Sequence, residues 1–365
     1  MLKHFLVLLI VLFVLPNFSF TQERVNLHQP TLTPQNSGTT NGLIAASPVN
    51  SRVVWASGRG GTFLITTNGG KTWKAGIVPG AETLQFRDVQ GVSEKVAYLM
   101  SIGSNPTDFR IYKTLDGGAT WRIEFQNQNP GAFYDCFAFW TRKRGIAHSD
   151  SVNGKFPDIR TTDGKTWQDI SDNLPPALPG EASFASSGTC VATQGAMNAW
   201  IATGGSATAR ILATHDQGDT WNAYETPLVS SPSAGAFTVA FRDRWHGIVG
   251  GGDLDPADPN NAATATSDDG GKSWRLTNKP PVTGAIYGLS YLHGAGDASR
   301  AVVITANAGG AAWTPDEGNT WFTLPGVAGY WAVAFASPKA GWLVGTGGRI
   351  LKISFSAVRT ELDPN

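Results

Sequence analysis

Short apolar stretches recur along the chain, each cut off by glycine or by a run of Asn, Asp, Ser and Thr. In 237–241 the large residues Phe237, Val239 and Phe241 alternate with Thr238 and Ala240, and in 331–335 Trp331, Val333 and Phe335 alternate with alanines. Alternation at a period of two over so short a length predicts strands rather than helices. A second kind of stretch is mostly apolar and ends in glycine: 54–58, 199–205, 246–251 and 341–348. Each of these predicts a short strand closed by a glycine turn.

A repeated phrase sets the spacing of these stretches. Its pattern is Ser/Thr-x-Asp-x-Gly-x-Thr/Ser-Trp, carried by Asn68 with Trp73, Asp116 with Trp121, Asp163 with Trp167, Asp216 with Trp221, Asp269 with Trp274 and Asp316 with Trp321. The first copy has Asn for Asp, and the third is one residue short. Successive tryptophans stand 48, 46, 54, 53 and 47 residues apart, a period that identifies a repeat architecture. The Asp accepts hydrogen bonds from nearby backbone N–H groups and closes a turn. The Gly takes a positive φ that a side chain would forbid, the hydroxyls satisfy further backbone groups, and the Trp buries its ring against the neighbouring hairpin. The phrase therefore reads as a folding device, and its aspartates are not expected to be catalysts or metal ligands.

Each repeat holds four short strands, which is one blade of a β-propeller. Six blades end in the phrase. The last, over 330–355, has three strands and leads only to a C-terminal tail at 357–365. A ring leaves no free edge, so residues 24–29 are expected to supply the missing strand. The predicted fold is all-β: a seven-bladed β-propeller of four-stranded antiparallel blades over 22–356, closed by the mature N-terminal strand.

Composition narrows the function. With 28 basic and 28 acidic residues, no long-range field draws the chain to nucleic acid or to an anionic membrane. A basic start at Lys3 and His4, an apolar run over 5–15 and Pro16 predict a signal peptide over 1–21, cleaved near 20–22, and so a periplasmic or extracellular protein. No later stretch is apolar enough for a membrane helix. Cys136 and Cys190 either pair between neighbouring blades or remain two buried thiols. The six His lack metal-ligand spacing, and no phosphate-binding or dinucleotide fingerprint is present, so neither metal nor cofactor is expected. The loop with Asp253, Asp255 and Asp258 lacks the order of a calcium-binding loop and reads as a solvated connection.

The phrase resembles the Asp-box, or BNR, repeat of sialidases and many other propellers. The longer unit, Gly-Trp-x-Val-Gly-x-x-Gly-x-Ile-Leu at 341–351 together with the box, resembles the photosystem II stability/assembly factor-like family. That resemblance spans nearly the whole mature chain and implies a seven-bladed propeller that binds a protein during assembly of a membrane complex. A sialidase resemblance would imply three arginines, a Tyr–Glu nucleophile and a Phe/Tyr-Arg-Ile-Pro motif ahead of the first box. Phe109, Arg110, Ile111 and Tyr112 are similar, but they precede the second box and lack the Pro, so they read as a strand. The expected function is an exported, non-catalytic, monomeric propeller with a protein partner. The alternative is a carbohydrate-binding or glycoside-hydrolysing one.

Propellers bind at the channel mouth, so polar groups on the innermost strands are the candidates. Arg87 and Asp88 lie on the inner strand of blade 2, and repeat alignment places Asp135 of blade 3 at the position of Asp88. Arg59, Asp150, Glu181 and Asp253 lie in loops able to join them. These residues read either as a ligand or partner site or as a salt-bridge ring around a water-filled channel. Loops 126–133, 172–182, 226–235 and 251–263 exceed the minimal blade. The proline-rich 174–179 is either a recognition edge or a rigid spacer.

Overall fold

The computed structural model describes residues 25–255, 261–294 and 296–359; the expected signal peptide over 1–21 and Asp258 lie outside them. Seven four-stranded antiparallel sheets follow one another: blade 1 over 43–77, blade 2 over 85–126, blade 3 over 134–169, blade 4 over 191–225, blade 5 over 234–276, blade 6 over 288–323 and blade 7 over 330–354 with Thr31–Gln35. Among the described residues the only helices are short 3-10 turns. The first strand of every blade packs on the first strands of both neighbours, and blade 7 returns to blade 1, so the first strands form a closed inner ring.

The closing strand is Thr31–Gln35, which pairs with Ile350–Ser354 from Thr31↔Ser354 to Gln35↔Ile350. The sequence pointed instead to 24–29. Within that stretch, Val25–Leu27 pairs with Ala357–Arg359 in a separate two-stranded ribbon. Pro34 explains why the pattern was hard to see: a proline argues against a strand except at an outer edge, where its missing N–H leaves no ladder bond unmade. Thr31–Gln35 is such an outer strand.

The repeated turn joins the third and fourth strands of blades 1 to 6. In blade 2 Asp116 Oδ1 accepts from Thr114 Oγ1 (2.8 Å) and from Thr120 N–H (2.9 Å), while Oδ2 accepts from Thr120 Oγ1 (2.6 Å). Thr114 Oγ1 in turn accepts from Gly118 N–H at 2.9 Å. Asn68 reproduces this set in blade 1, taking Thr72 N–H at 3.0 Å and donating to Thr72 Oγ1 at 2.8 Å. Gly118 has φ +83°, and a Cβ there would come within 2.4 Å of the Phe63 ring of blade 1. The glycine is thus required both by its backbone and by the approach of the preceding blade.

Several joints between blades are held by a ring that reaches across. Trp55 Nε1 donates to Ser93 O of blade 2, Tyr98 Oη to Gly164 O of blade 3, and Trp200 Nε1 to Gly270 O of blade 5. Trp55, Trp200, Trp313 and Trp342 are fully buried, whereas of the six turn tryptophans Trp73, Trp121, Trp167 and Trp321 are only half-buried and Trp221 and Trp274, though buried, keep 6% and 9% exposure. The deepest rings therefore belong to the strands, not to the repeated phrase. Each fully buried indole removes roughly 150–250 Å² from water, about 4–6 kcal/mol as an upper bound.

Their donors hold the carboxyl groups of Asp116 and Asp163 down at about 2: chiefly the Thr120 hydroxyl for Asp116 and the Thr166 N–H for Asp163. A depressed carboxyl stabilises the fold above its unfolded pKa and ceases to do so as pH falls through the folded value. Asp116→Ala is expected to lower the melting temperature at pH 7. Asp116→Asn, which copies Asn68, is expected to cost far less and to weaken the loss of stability between about pH 4 and pH 2. Thermal melts of both variants across that range check this, and equal losses for Asn and Ala would contradict it.

Candidate functional site

A shared irregularity of the first strands builds the site. The ladder register slips at Ile44 in blade 1, Arg87 in blade 2, Asp135 in blade 3, Phe237 in blade 5 and Trp331 in blade 7, so two residues oppose one. In blade 6 the N–H of Tyr287 bonds to Thr305 O, and Thr305 is also the ladder partner of Gly288. Bulges of this kind re-aim a side chain. Arg87, Asp135, Phe237, Tyr287 and Trp331 all line one cavity of about 350 Å³, with Phe133, Asp150, residues 183–186 and Leu254. Asp135 therefore occupies the place of Arg87, and the counterpart of Asp88 is Cys136; the repeat alignment had been off by one residue.

Blade 4 contributes a plug. Ala185 O accepts from Arg87 Nη1 of blade 2 (2.8 Å), and the hydroxyls of Ser186 and Ser187 donate to Tyr287 O of blade 6 (3.0 and 2.6 Å). Thr189 O accepts from Val239 N–H of blade 5 at 3.0 Å. A segment that meets blades 2, 5 and 6 lies across the axis. It separates the mouth from a second cavity of about 230 Å³, lined by Asp88, Gln90 and residues 187–189 among others. The plug is tied down at both ends. Ser183 N–H donates to Asp150 Oδ1 at 2.8 Å, and Cys190 forms a disulfide with Cys136 of blade 3, Cα–Cα 5.9 Å.

One side of the mouth is aromatic. Phe184 stacks on Phe237 (centroids 3.9 Å), Phe237 lies parallel to Tyr287 (6.2 Å), and Tyr287 stacks on Trp331 (5.1 Å). The opposite side is polar. Asp135 is 1% exposed, and its Oδ2 has no hydrogen-bond partner. Burial, followed by the charge of Asp150 and a hydrogen bond to it, pushes the Asp135 carboxyl well above the usual carboxylate range, with Arg87 opposing. Burial also raises Asp150, against the Ser183 N–H. Two carboxyl groups that sense each other's charge resist ionising together, which favours the neutral form of the more deeply buried one. Arg87 Nε is buried without a partner, and Arg87 forms no salt bridge among the described residues. Burial and then Arg59 lower the Arg87 pKa, although a guanidinium stays charged.

The other candidates fall elsewhere. Asp88 lies below the mouth, accepting from Val89 N–H (2.7 Å) and Phe137 N–H (2.9 Å), and burial raises its pKa. Glu181 is buried in a two-pronged pair with Arg210, and it also takes Thr203 Oγ1 (2.7 Å) and Leu178 N–H (2.8 Å). Arg210 Nη2 donates to Pro176 O, so the pair pins the proline-rich segment in place. Arg59 bridges by its backbone to Gln85. Asp253 Oδ1 accepts from Ser233 Oγ (2.6 Å) beside Leu254. Arg110 stays on the third strand of blade 2, its Nε bonded to Thr107 O. Sequence reading missed the aromatic arc as a unit. It also missed the buried pair behind the mouth, where His148 Nδ1 stands 2.9 Å from both Asp158 oxygens and His148 Nε2 has no partner.

No family model matches the chain, and no curated protein matches it by sequence. Solved structures do resemble it. A structure of YCF48 bound to D1 peptide aligns at TM-score 0.62 and 16% identity over 94% of this chain and 99% of that one. YCF48 from Cyanidioschyzon merolae aligns at 0.62 and 15% over 88% and 98%. The GH74 xyloglucanase from Xanthomonas campestris aligns at 0.58 and 12% over 90% of this chain and 55% of that one. Likeness at these identities establishes the propeller fold.

A carboxyl whose folded pKa is raised contributes stability that is complete below its unfolded value, about 3.9, and is lost as pH rises through the folded value. Asp135→Asn fixes the neutral form. It is expected to flatten the decline in stability between pH 4 and pH 8, leaving the variant less weakened than the parent at pH 8. Urea unfolding at both pH values measures the difference. A variant that loses stability equally at both would contradict a raised Asp135 carboxyl.

Proposed function

We propose that the protein is an exported, non-catalytic propeller that binds a polypeptide segment of a partner protein at the mouth of its ring, in the manner of an assembly or stability factor. One observation carries the reading. A buried donor without a partner, Arg87 Nε, and a buried acceptor without one, Asp135 Oδ2, belong to residues lining the same cavity, next to a stacked aromatic arc. Orphaned buried groups are costly. A peptide backbone brings both a carbonyl and an N–H, and its apolar side chains have the aromatic wall to cover. The likeness to YCF48, solved with a D1 peptide, supports this use of the fold. The apolar run at 5–15 and the Cys136–Cys190 disulfide support export to an oxidising compartment.

Carbohydrate hydrolysis is the weaker reading. Glycosidases hold their two carboxyl groups about 5–5.5 Å apart, or about 6.5–9.5 Å in inverting enzymes. Among the described residues lining the cavity, only Asp135 and Asp150 carry carboxyl groups, and Asp135 is almost wholly buried rather than set across an open cleft from its partner.

Affinity capture of the tagged protein from its native envelope and medium, read by mass spectrometry, tests the proposal. A stoichiometric partner is expected, reduced about tenfold or more by Trp331→Ala and by Leu254→Glu, the latter at an exposed position. The captured chain is expected to begin near residue 21. Recovery of the propeller alone, or of a partner indifferent to both variants, would overturn the reading.

A further inference from the structure

Taking the mouth as a peptide site, we propose that it selects a positively charged side chain, lysine or arginine, whose head group enters against Asp135 and Asp150. The residues beside that cation in the peptide lie on the aromatic arc.

The argument starts from the unpartnered oxygen. Asp135 lines the cavity and is almost wholly buried, and its Oδ2 lies just beneath the surface without a donor, while among the described residues the N–H given to the pair is Ser183 N–H on Asp150 Oδ1. Arg87, the one cation in the lining, already spends Nη1 on Ala185 O and forms no salt bridge with either carboxylate. The charges behind the pair do not supply the missing donor: His148 points Nδ1 at Asp158, and Arg59 acts on Arg87. An ammonium or guanidinium carries several N–H donors and a full charge, so it satisfies Oδ2 and neutralises a carboxylate together. A neutral amide supplies the hydrogen bond but not the charge. The step balances simply: a proton held on the pair when it is empty leaves to solvent, and the incoming cation takes its place. The methylenes of a lysine or arginine stem pass along Phe133 and Phe184, as such stems do on apolar surfaces.

A positional-scanning peptide library over the immobilised protein, followed by titration calorimetry with matched synthetic peptides, tests this. Lys or Arg is expected at one fixed position. Replacing it by norleucine should weaken binding about tenfold or more, and binding of the Lys peptide should release protons, up to about one and more as the pH is lowered, read from two buffers of different ionisation enthalpy. Asp135→Asn and Asp150→Asn should each abolish the preference for Lys over norleucine, and Asp135→Asn should do so while remaining well folded. Peptides that bind equally with norleucine would overturn the cation and leave the peptide site standing. Absence of any peptide binding would overturn both.

Discussion

A ring of blades is stable only if no joint in it is open. Each blade here has a neighbour on both sides, and each joint is made by inner strands in contact, reinforced at those of blades 1–2, 2–3 and 4–5 by an aromatic side chain driven into the next blade's turn and at that of blades 5–6 by Arg242 on Glu317. The joint between blades 7 and 1 obeys the same rule with different residues. Thr31–Gln35 adds the outer strand, Gln35 Oε1 accepts from Trp73 Nε1 of blade 1, and Lys352 Nζ donates to Gly69 O in the first repeated turn. The chain's two ends are thereby committed to a single sheet. An unpaired outer edge would be a site for aggregation as well as a loss of ladder bonds.

Closure also makes the mouth. The bulged residues stand on different blades, and only a closed ring turns them toward a common cavity. Half of that rim is stacked rings and half is ionisable, so the site pairs an apolar wall with polar groups that are not fully satisfied. The plug gives the cavity its floor, and it is fastened where it would otherwise be free to move. For a loop of the length closed by Cys136 and Cys190, 54 residues, a disulfide contributes about 4 kcal/mol in the chain-entropy picture. Residues whose local cost is high, such as Asp135 and Arg87, are tolerated because this framework holds them.

The repeat made the fold legible, because Asn68 and the aspartates of the five later turns recur with tryptophan at blade spacing, and each part of the phrase has a geometric reason. Closure was legible as a requirement but not as a location, since Pro34 disguises the strand that meets it. The candidate site was legible in part. Arg87, Asp135 and Asp150 stood out as charges near inner strands and do line one cavity, whereas Glu181 carries the same charge and is spent on Arg210. Burial and partner decide between these cases, and neither is written in a single sequence. The aromatic arc was hidden for another reason. Phe237, Tyr287 and Trp331 read as ordinary core residues until a one-residue slip in the ladder is known, and such a slip turns a side chain to the other face.

Hydrogen exchange tests closure most directly, comparing the chain begun at residue 25 with one begun at residue 36, both made under oxidising conditions. The account predicts that removing Thr31–Gln35 lowers amide protection in blades 7 and 1 first and in the remaining blades with them, because the ring unfolds as a unit. Full protection of blades 2 to 6 in the shortened chain would show that the blades stand without closure, and would contradict the account.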